Sequence, residues 1–412
     1  RPEQYLMTEE NLVTITTYET AREAYLSRDL KQALYDAGEV VMSDVLVNLH
    51  GEEHRSRRRL ENRLYRREVF YKYENELFPE IIEETIAPHL GAGKAELVSL
   101  SHQLMMNLAA LTAGVDRLIG TPEETFRLYD YLMTFIEGAT LAHYQGDRKT
   151  KEQEIKDALA AFDEEFLVPG IVRRSTLIGE LEKGKIEESD LPQDVLTVLL
   201  RNVDHLNLTH EVILREIAFY LLAGAHTSAT AFTRTMHNIF EWLDEDVDHK
   251  EKICCPDFIR RCVHETIRLQ PSSPVSQRWA ETDIQLASGS TIRKGDKVVI
   301  DLIQVNRDAS VFGEDADKFN PERKLPLSVP EHGLSFGLGM HACIGKDLAA
   351  GILDGDNEKP ESHLNGLITM AVQNMLANGC RPDPNTPPTM NPSTSRPYFG
   401  EYPVIFDSSY RF

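Results

Sequence analysis

The chain has 412 residues, 41% of them hydrophobic, and a net charge of −22, so it has ample apolar material for a large core. That acidity excludes a general nucleic-acid binder, since phosphate recognition needs a basic face. Five cysteines, an odd number, argue against a disulfide framework and for a reducing compartment, taken here as the cytoplasm.

No low-complexity linker or internal repeat divides the sequence, so one domain over residues 1–412 is expected, as a monomer. No apolar run reaches the length of a membrane span; Ile217 to Ala225 is the longest notable one. The first residue is Arg1 rather than methionine, which suggests a short or trimmed N-terminus.

Taken in order, Leu12–Thr16 reads as a short strand and Tyr18–Leu26 as an amphipathic helix. His54 to Arg67 is the most basic stretch, with Arg55, Arg57, Arg58, Arg59, Arg63, Arg66 and Arg67. On a helix His54 and Arg58 share one face, and Arg55, Arg59, Arg63 and Arg66 a neighbouring one. A solvated charged helix explains such a run equally well.

Residues 68–208 are mainly helical by pattern, with breaks at Gly91-Ala92-Gly93, Gly120-Thr121-Pro122 and Pro169-Gly170. Thr209 caps a long helix running to about Trp242. Ile213, Ile217, Tyr220, Gly224 and Thr227 fall on one face of it. Gly224 in mid-helix signals a close approach or a kink. Cys254, Cys255, Cys262 and His264 lack metal-knuckle spacing and read as ordinary thiols with a nearby histidine. Glu265 and Arg268 place opposite charges on one helical face. Ile284 to Ile300, with Gly289 and Gly295, reads as a hairpin. The polar, acidic stretch 353–363 and the proline-rich stretch 382–397 give no clear pattern.

The densest chemistry lies in Phe336-Gly337-Leu338-Gly339-Met340-His341-Ala342-Cys343-Ile344-Gly345, directly before a helical Lys346-Asp347-Leu348. Gly337 and Gly339 permit a tight loop with positive φ. Cys343 stands where amides and a helix N-terminus converge, which favours a thiolate. Gly345 clears space for a flat ligand, so the loop suits a cysteine-ligated haem iron. Two other readings stay open here: a dinucleotide fingerprint over Gly337–Ala342, which lacks an apolar strand before it, and a plain structural cysteine.

This loop resembles that of the cytochrome P-450 family: Phe, two residues, Gly, x, a basic residue, x, Cys, x, Gly. Ala223-Gly224-Ala225-His226-Thr227-Ser228 resembles the family's oxygen-activating helix. Glu265-x-x-Arg268, with Arg323 in Phe319-Asn320-Pro321-Glu322-Arg323, resembles its buried ionic network. The resemblance implies a mainly α fold with a small β-sheet region near the N-terminus and after Arg268. Haem b (iron protoporphyrin IX) would sit between the long central helix and the cysteine loop. It further implies Cys343 as axial iron ligand in a loop shaped by Phe336, Gly337 and Gly345, with His54, Arg58, Arg278 and His341 donating to the propionates.

Thr227 and Gly224 would serve oxygen activation, with His226 as proton relay in place of the usual carboxylate. The His-Thr pair is similar to the sterol-demethylating branch, a pointer toward a polycyclic substrate such as a steroid or terpenoid. The expected activity is insertion of one oxygen atom from O2 into a C–H bond of an apolar small molecule. Electrons would come from a ferredoxin and its reductase, docking near Arg55, Arg59, Arg63 and Arg66. Oxidative coupling or desaturation, a peroxide-driven enzyme, and a non-catalytic haem sensor or carrier are the competing functions.

Overall fold

Thr209 caps the helix on which the architecture is assembled: its Oγ1 accepts the Val212 N–H at 3.3 Å. The helix runs His210–Glu245 and buries side chains on nearly every side, among them Ile213, Ile217, Tyr220, Phe232, Met236 and Ile239. A helix apolar all round belongs in the middle of a core. Its main partner is the helix Leu97–Ala113, itself buried along most of its length and capped by Glu96, which accepts the Val98 and Ser99 amides. Gly224 allows their approach, since a Cβ there would stand 3.0 Å from Ala109 Cβ.

The computed structural model describes residues 12–245, 247–353 and 364–410. The acidic stretch beyond Leu353, to His363, lies outside them. Strands β1 (Leu12–Ile15), β2 (Leu30–Gln32), β4 (Val275–Ala280) and β7 (Lys297–Asp301) form one sheet in the order β1-β7-β4-β2. β1 lies parallel to β7, with Leu12 opposite Lys297, while β4 pairs antiparallel with both β7 and β2. The first helix, Tyr18–Leu26, packs into this sheet's own apolar cluster with Ile15, Leu30, Val298, Ile300 and Leu334. The expected hairpin is present as β5 (Ile284–Gln285) and β6 (Thr291–Ile292).

A second sheet joins β3 (Lys94–Glu96), β11 (Pro403–Phe406) and β8 (Cys380–Pro382). The proline-rich stretch carries β9 (Thr389–Met390), which pairs with β10 (Phe399–Glu401).

Two expected breaks are real. The helix Phe78–Ala92 ends at Gly93 in left-handed conformation (φ +69°), and Pro122 opens a helix capped by Thr121. The third is not. Asp163–Leu167 forms a wide helical turn that leads straight into the helix Val168–Glu182. Pro169 falls in that helix's first turn, where its missing N–H interrupts nothing. Among the described residues no helix is long and apolar enough to cross a membrane.

Candidate functional site

The loop around Cys343 folds as its glycines require. Gly337 and Gly339 have φ of +65° and +68°, and the Cys343 N–H closes the loop onto the Phe336 carbonyl at 2.8 Å. A Cβ on Gly339 would collide with the Tyr25 carbonyl oxygen at 2.7 Å, so the loop is pressed against the first helix. Gly345 has open space beside it, the nearest atom to a built Cβ being Tyr65 Cε1 at 3.8 Å. Phe336 packs edge-on against His332.

Cys343 retains open side-chain surface, although burial dominates its electrostatics. It therefore lines interior space rather than the outside. Burial pushes its thiol above the ordinary range, and the Gly345 N–H, Arg58 and Lys346 only partly oppose this. The protein alone does not hold the thiolate that the sequence led us to expect. The reason is burial, which outweighs what one amide and two cations supply. A metal cation at the sulfur would supply the missing charge.

The donors expected to hold acidic groups gather beside this loop. His54, on the helix Gly51–Glu61, is buried, and its ring centre lies 4.5 Å from that of His341. His50 stacks on His341 at 6.4 Å. Arg58 Nη2 donates to the Ala342 carbonyl at 2.7 Å, tying its helix to the cysteine loop. Arg278 on β4 is buried, and its Nη1 reaches Gln32, Ser276 and its neighbour's carbonyl.

All four ring nitrogens of His54 and His341 are buried without a hydrogen-bond partner among the described residues. The charges acting on His341 are His54, Arg278, His50 and Arg58, with no carboxylate among them. Burial and these neighbours depress His341 to about 3, and burial with Arg58, His50 and Arg57 depresses His54 to about 4. Two unpartnered imidazoles beside two guanidiniums that meet only neutral acceptors call for a group bearing carboxylates. Haem, with two propionates and an iron for the sulfur, fits this donor set.

On the central helix, Gly224 and Thr227 are exposed in the middle of an otherwise buried stretch, one turn apart. The Thr227 hydroxyl donates back to the Ala223 carbonyl at 2.8 Å. His226 points elsewhere. Its Nδ1 lies 3.1 Å from Nε2 of His102, and its ring meets Tyr398 edge-on. It lines a cavity of about 260 Å³ with His102, Tyr129, Thr230, Arg234 and Tyr398, and neither Thr227 nor Cys343 belongs to that lining.

The arginine face is broken. The helix stops at Glu61, because Asn62 to Tyr65 continue as turns, so Arg63 and Arg66 lie beyond it. Arg55, Arg59, Arg63 and Arg66 are nevertheless all exposed. Sequence reasoning missed His50, His102 and Arg57. His50 and His54 are four residues apart, a spacing that pointed to one face, whereas nothing local marked His102. Arg57 is buried, and its Nη1 donates to Glu216 at 2.7 Å and to the Asp44 carbonyl at 2.6 Å. It serves the core, unlike its exposed neighbours.

The family model "Cytochrome P450" matches residues 257–353. The bifunctional cytochrome P450/NADPH–P450 reductase 2 of Bacillus subtilis (strain 168) is 29% identical over 176 residues, covering 38% of this chain and 17% of that protein. Cytochrome P450 734A2 of Oryza sativa subsp. japonica is 24% identical over 393 residues, covering 82% of this chain and 68% of that protein. The match to the Bacillus protein thus spans well under two thirds of that relative's length. The crystal structure of CYP109E1 from Bacillus megaterium in complex with testosterone superposes with a TM-score of 0.65 at 19% identity. It covers 97% of this chain and 95% of that one. A fold shared over nearly the whole chain, and a family-model match over residues 257–353, which contain the cysteine loop, agree with the donor set: the chain is similar to the cytochrome P450 family, whose cofactor is protoporphyrin IX haem.

Proposed function

We propose that the protein is a haem-thiolate monooxygenase that inserts one oxygen atom from O2 into a C–H bond of an apolar small molecule. The observation that carries this reading is the pairing of an interior cysteine with His54, His341, Arg58 and Arg278, of which His54 and Arg278 are buried, with no carboxylate acting on His341. Haem, when bound, supplies dioxygen activation, and a thiolate ligand favours O–O cleavage.

The chain's own residues do the rest. Cys343 holds the iron, and the two histidines and two arginines pair with the propionates, which would bring His54 and His341 back toward their ordinary proton affinity. Thr227 holds a proton at Oγ1 on open surface, needing only to leave the Ala223 carbonyl to offer it. Gly224 keeps the helix close to its neighbour while leaving its outer side bare. His226 acts from behind the helix as a proton relay, through water or a side-chain link.

Electrons come from a ferredoxin docking on the exposed Arg55, Arg59, Arg63 and Arg66. A rigid polycyclic substrate heads the panel to be tried, on the strength of His226-Thr227. The test is reconstitution with ferredoxin, its reductase and such a panel, following product by mass spectrometry with ¹⁸O2. Label incorporated into product supports monooxygenation; unlabelled desaturated or coupled product overturns it.

A further inference from the structure

His102 and His226 face each other between the helix Leu97–Ala113 and the central helix, and their hydrogen bonds determine which nitrogens carry protons. His102 Nδ1 lies 2.9 Å from the Val98 carbonyl oxygen, which can only accept, so Nδ1 carries the hydrogen. Burial depresses the proton affinity of both rings, so each is neutral near pH 7. Neutral His102 then has a bare Nε2, and the His226 Nδ1 that lies 3.1 Å away must donate to it. That leaves His226 Nε2 unprotonated. It is buried and has no partner among the described residues.

We propose that His102 is a positioning residue that fixes His226 as its Nδ1–H tautomer, so that Nε2 alone takes up and releases the relayed proton. The functional half of this rests on reading His226 as a relay; the tautomer does not. The surroundings keep Nε2 bare. His226 is faced by His102 from the helix Leu97–Ala113, by Arg234 from its own helix, and by Arg396 from the segment before β10, all cationic when protonated. Glu96 acts on His102, but no carboxylate of the cavity acts on His226 itself. Glu96 accepts the Val98, Ser99 and Tyr402 amides, and Glu137 pairs with Lys151. A proton reaching Nε2 is therefore held weakly.

The test is NMR of the haem-loaded protein, labelled with ¹⁵N-histidine, in its diamagnetic ferrous carbon-monoxide form. His226 is assigned by the signals lost in His226→Gln. The expected result near pH 7 is a His226 Nε2 shift typical of an unprotonated nitrogen, and a coupling across the hydrogen bond between the two rings. His102→Leu should move Nε2 toward the protonated range. His102→Gln, whose carbonyl oxygen reaches the same place, should restore the wild-type shift. A protonated Nε2 or a missing inter-ring coupling in the wild type overturns the proposal without any variant. An unchanged shift in His102→Leu overturns the positioning role. Turnover is not read, so a failure here is separate from a failure of the relay.

Discussion

Arg268 grips Glu265 through two parallel hydrogen bonds of 2.7 Å, Nε to Oε2 and Nη2 to Oε1. The remaining Arg268 nitrogen reaches the Asn306 and Ala316 carbonyls, while Arg323 and the Asn320 amide also bind Glu265. Each charge in this buried group is answered, so removing one partner strands the others. Glu265→Ala is expected to cost about 3–5 kcal/mol of folding stability. Denaturant titration measures it, and a variant as stable as the wild type contradicts the structural role.

Cys343→Ser is expected to abolish the thiolate signature of the reduced, carbon-monoxide-treated protein. Cys254 and Cys255 are exposed at a helix start, and Cys262 and Cys380 are buried in apolar surroundings. Alanine at any of those four should leave the spectrum intact. A spectrum retained in Cys343→Ser would move the ligand elsewhere.

A pH dependence of stability follows from Glu61 and Glu216, two fully buried carboxylates served by one guanidinium, Arg57. Burial raises both, Glu216 to about 7 and Glu61 well above the ordinary carboxylate range, where the Glu216 charge adds to burial. Tyr220 donates to Glu61. A raised folded pKa means that the native state binds the extra proton. Their contribution is therefore full below the ordinary carboxylate range and is lost as pH climbs through about 7. Glu61→Gln, uncharged throughout, is expected to gain roughly 1–3 kcal/mol on the alkaline side. Urea midpoints across pH give the two curves, and equally steep ones reject the idea.

Reversing the charge of Arg55 and Arg59 should slow reduction by an acidic ferredoxin and weaken its salt dependence, with the haem spectrum unchanged. Stopped-flow reduction at two ionic strengths is the measurement. Rates indifferent to both variables remove the docking surface.

Thr227→Ala is expected to accept electrons but lose them to hydrogen peroxide, and His226→Ala to slow proton delivery by roughly ten- to a hundredfold. Product formed per electron consumed reports both. Full coupling in Thr227→Ala would mean that its hydroxyl serves only the Ala223 carbonyl, and full activity in His226→Ala would leave that histidine as packing.

Local patterns carried much of this molecule. The helix Tyr18–Leu26, the Thr209 cap and the left-handed glycines of the cysteine loop follow from short-range rules, and the structure has them where the sequence placed them. What escaped the sequence depends on distant partners. The arginine helix ends at Glu61 although its charge pattern continues, since charge spacing alone does not stop or extend a helix. The Asp163–Leu167 turn hides Pro169 from the rule that prolines break helices. His102 was invisible because its meaning comes from a residue 124 positions away. The thiol's raised proton affinity likewise comes from burial, which spacing does not report.

The parallel pairing of β1 with β7 has a consequence for how the chain is made. Leu12 leaves the ribosome early, but its partner Lys297 is synthesised only after the central helix and everything before it. The first strand must wait, its edge unpaired, while most of the helical body can already condense. Closing so long a loop is slow, and an exposed strand edge invites wrong partners in the interval. Truncated or stalled chains ending before Asp301 should therefore be the aggregating species, and the N-terminal sheet the last part of the molecule to become protected.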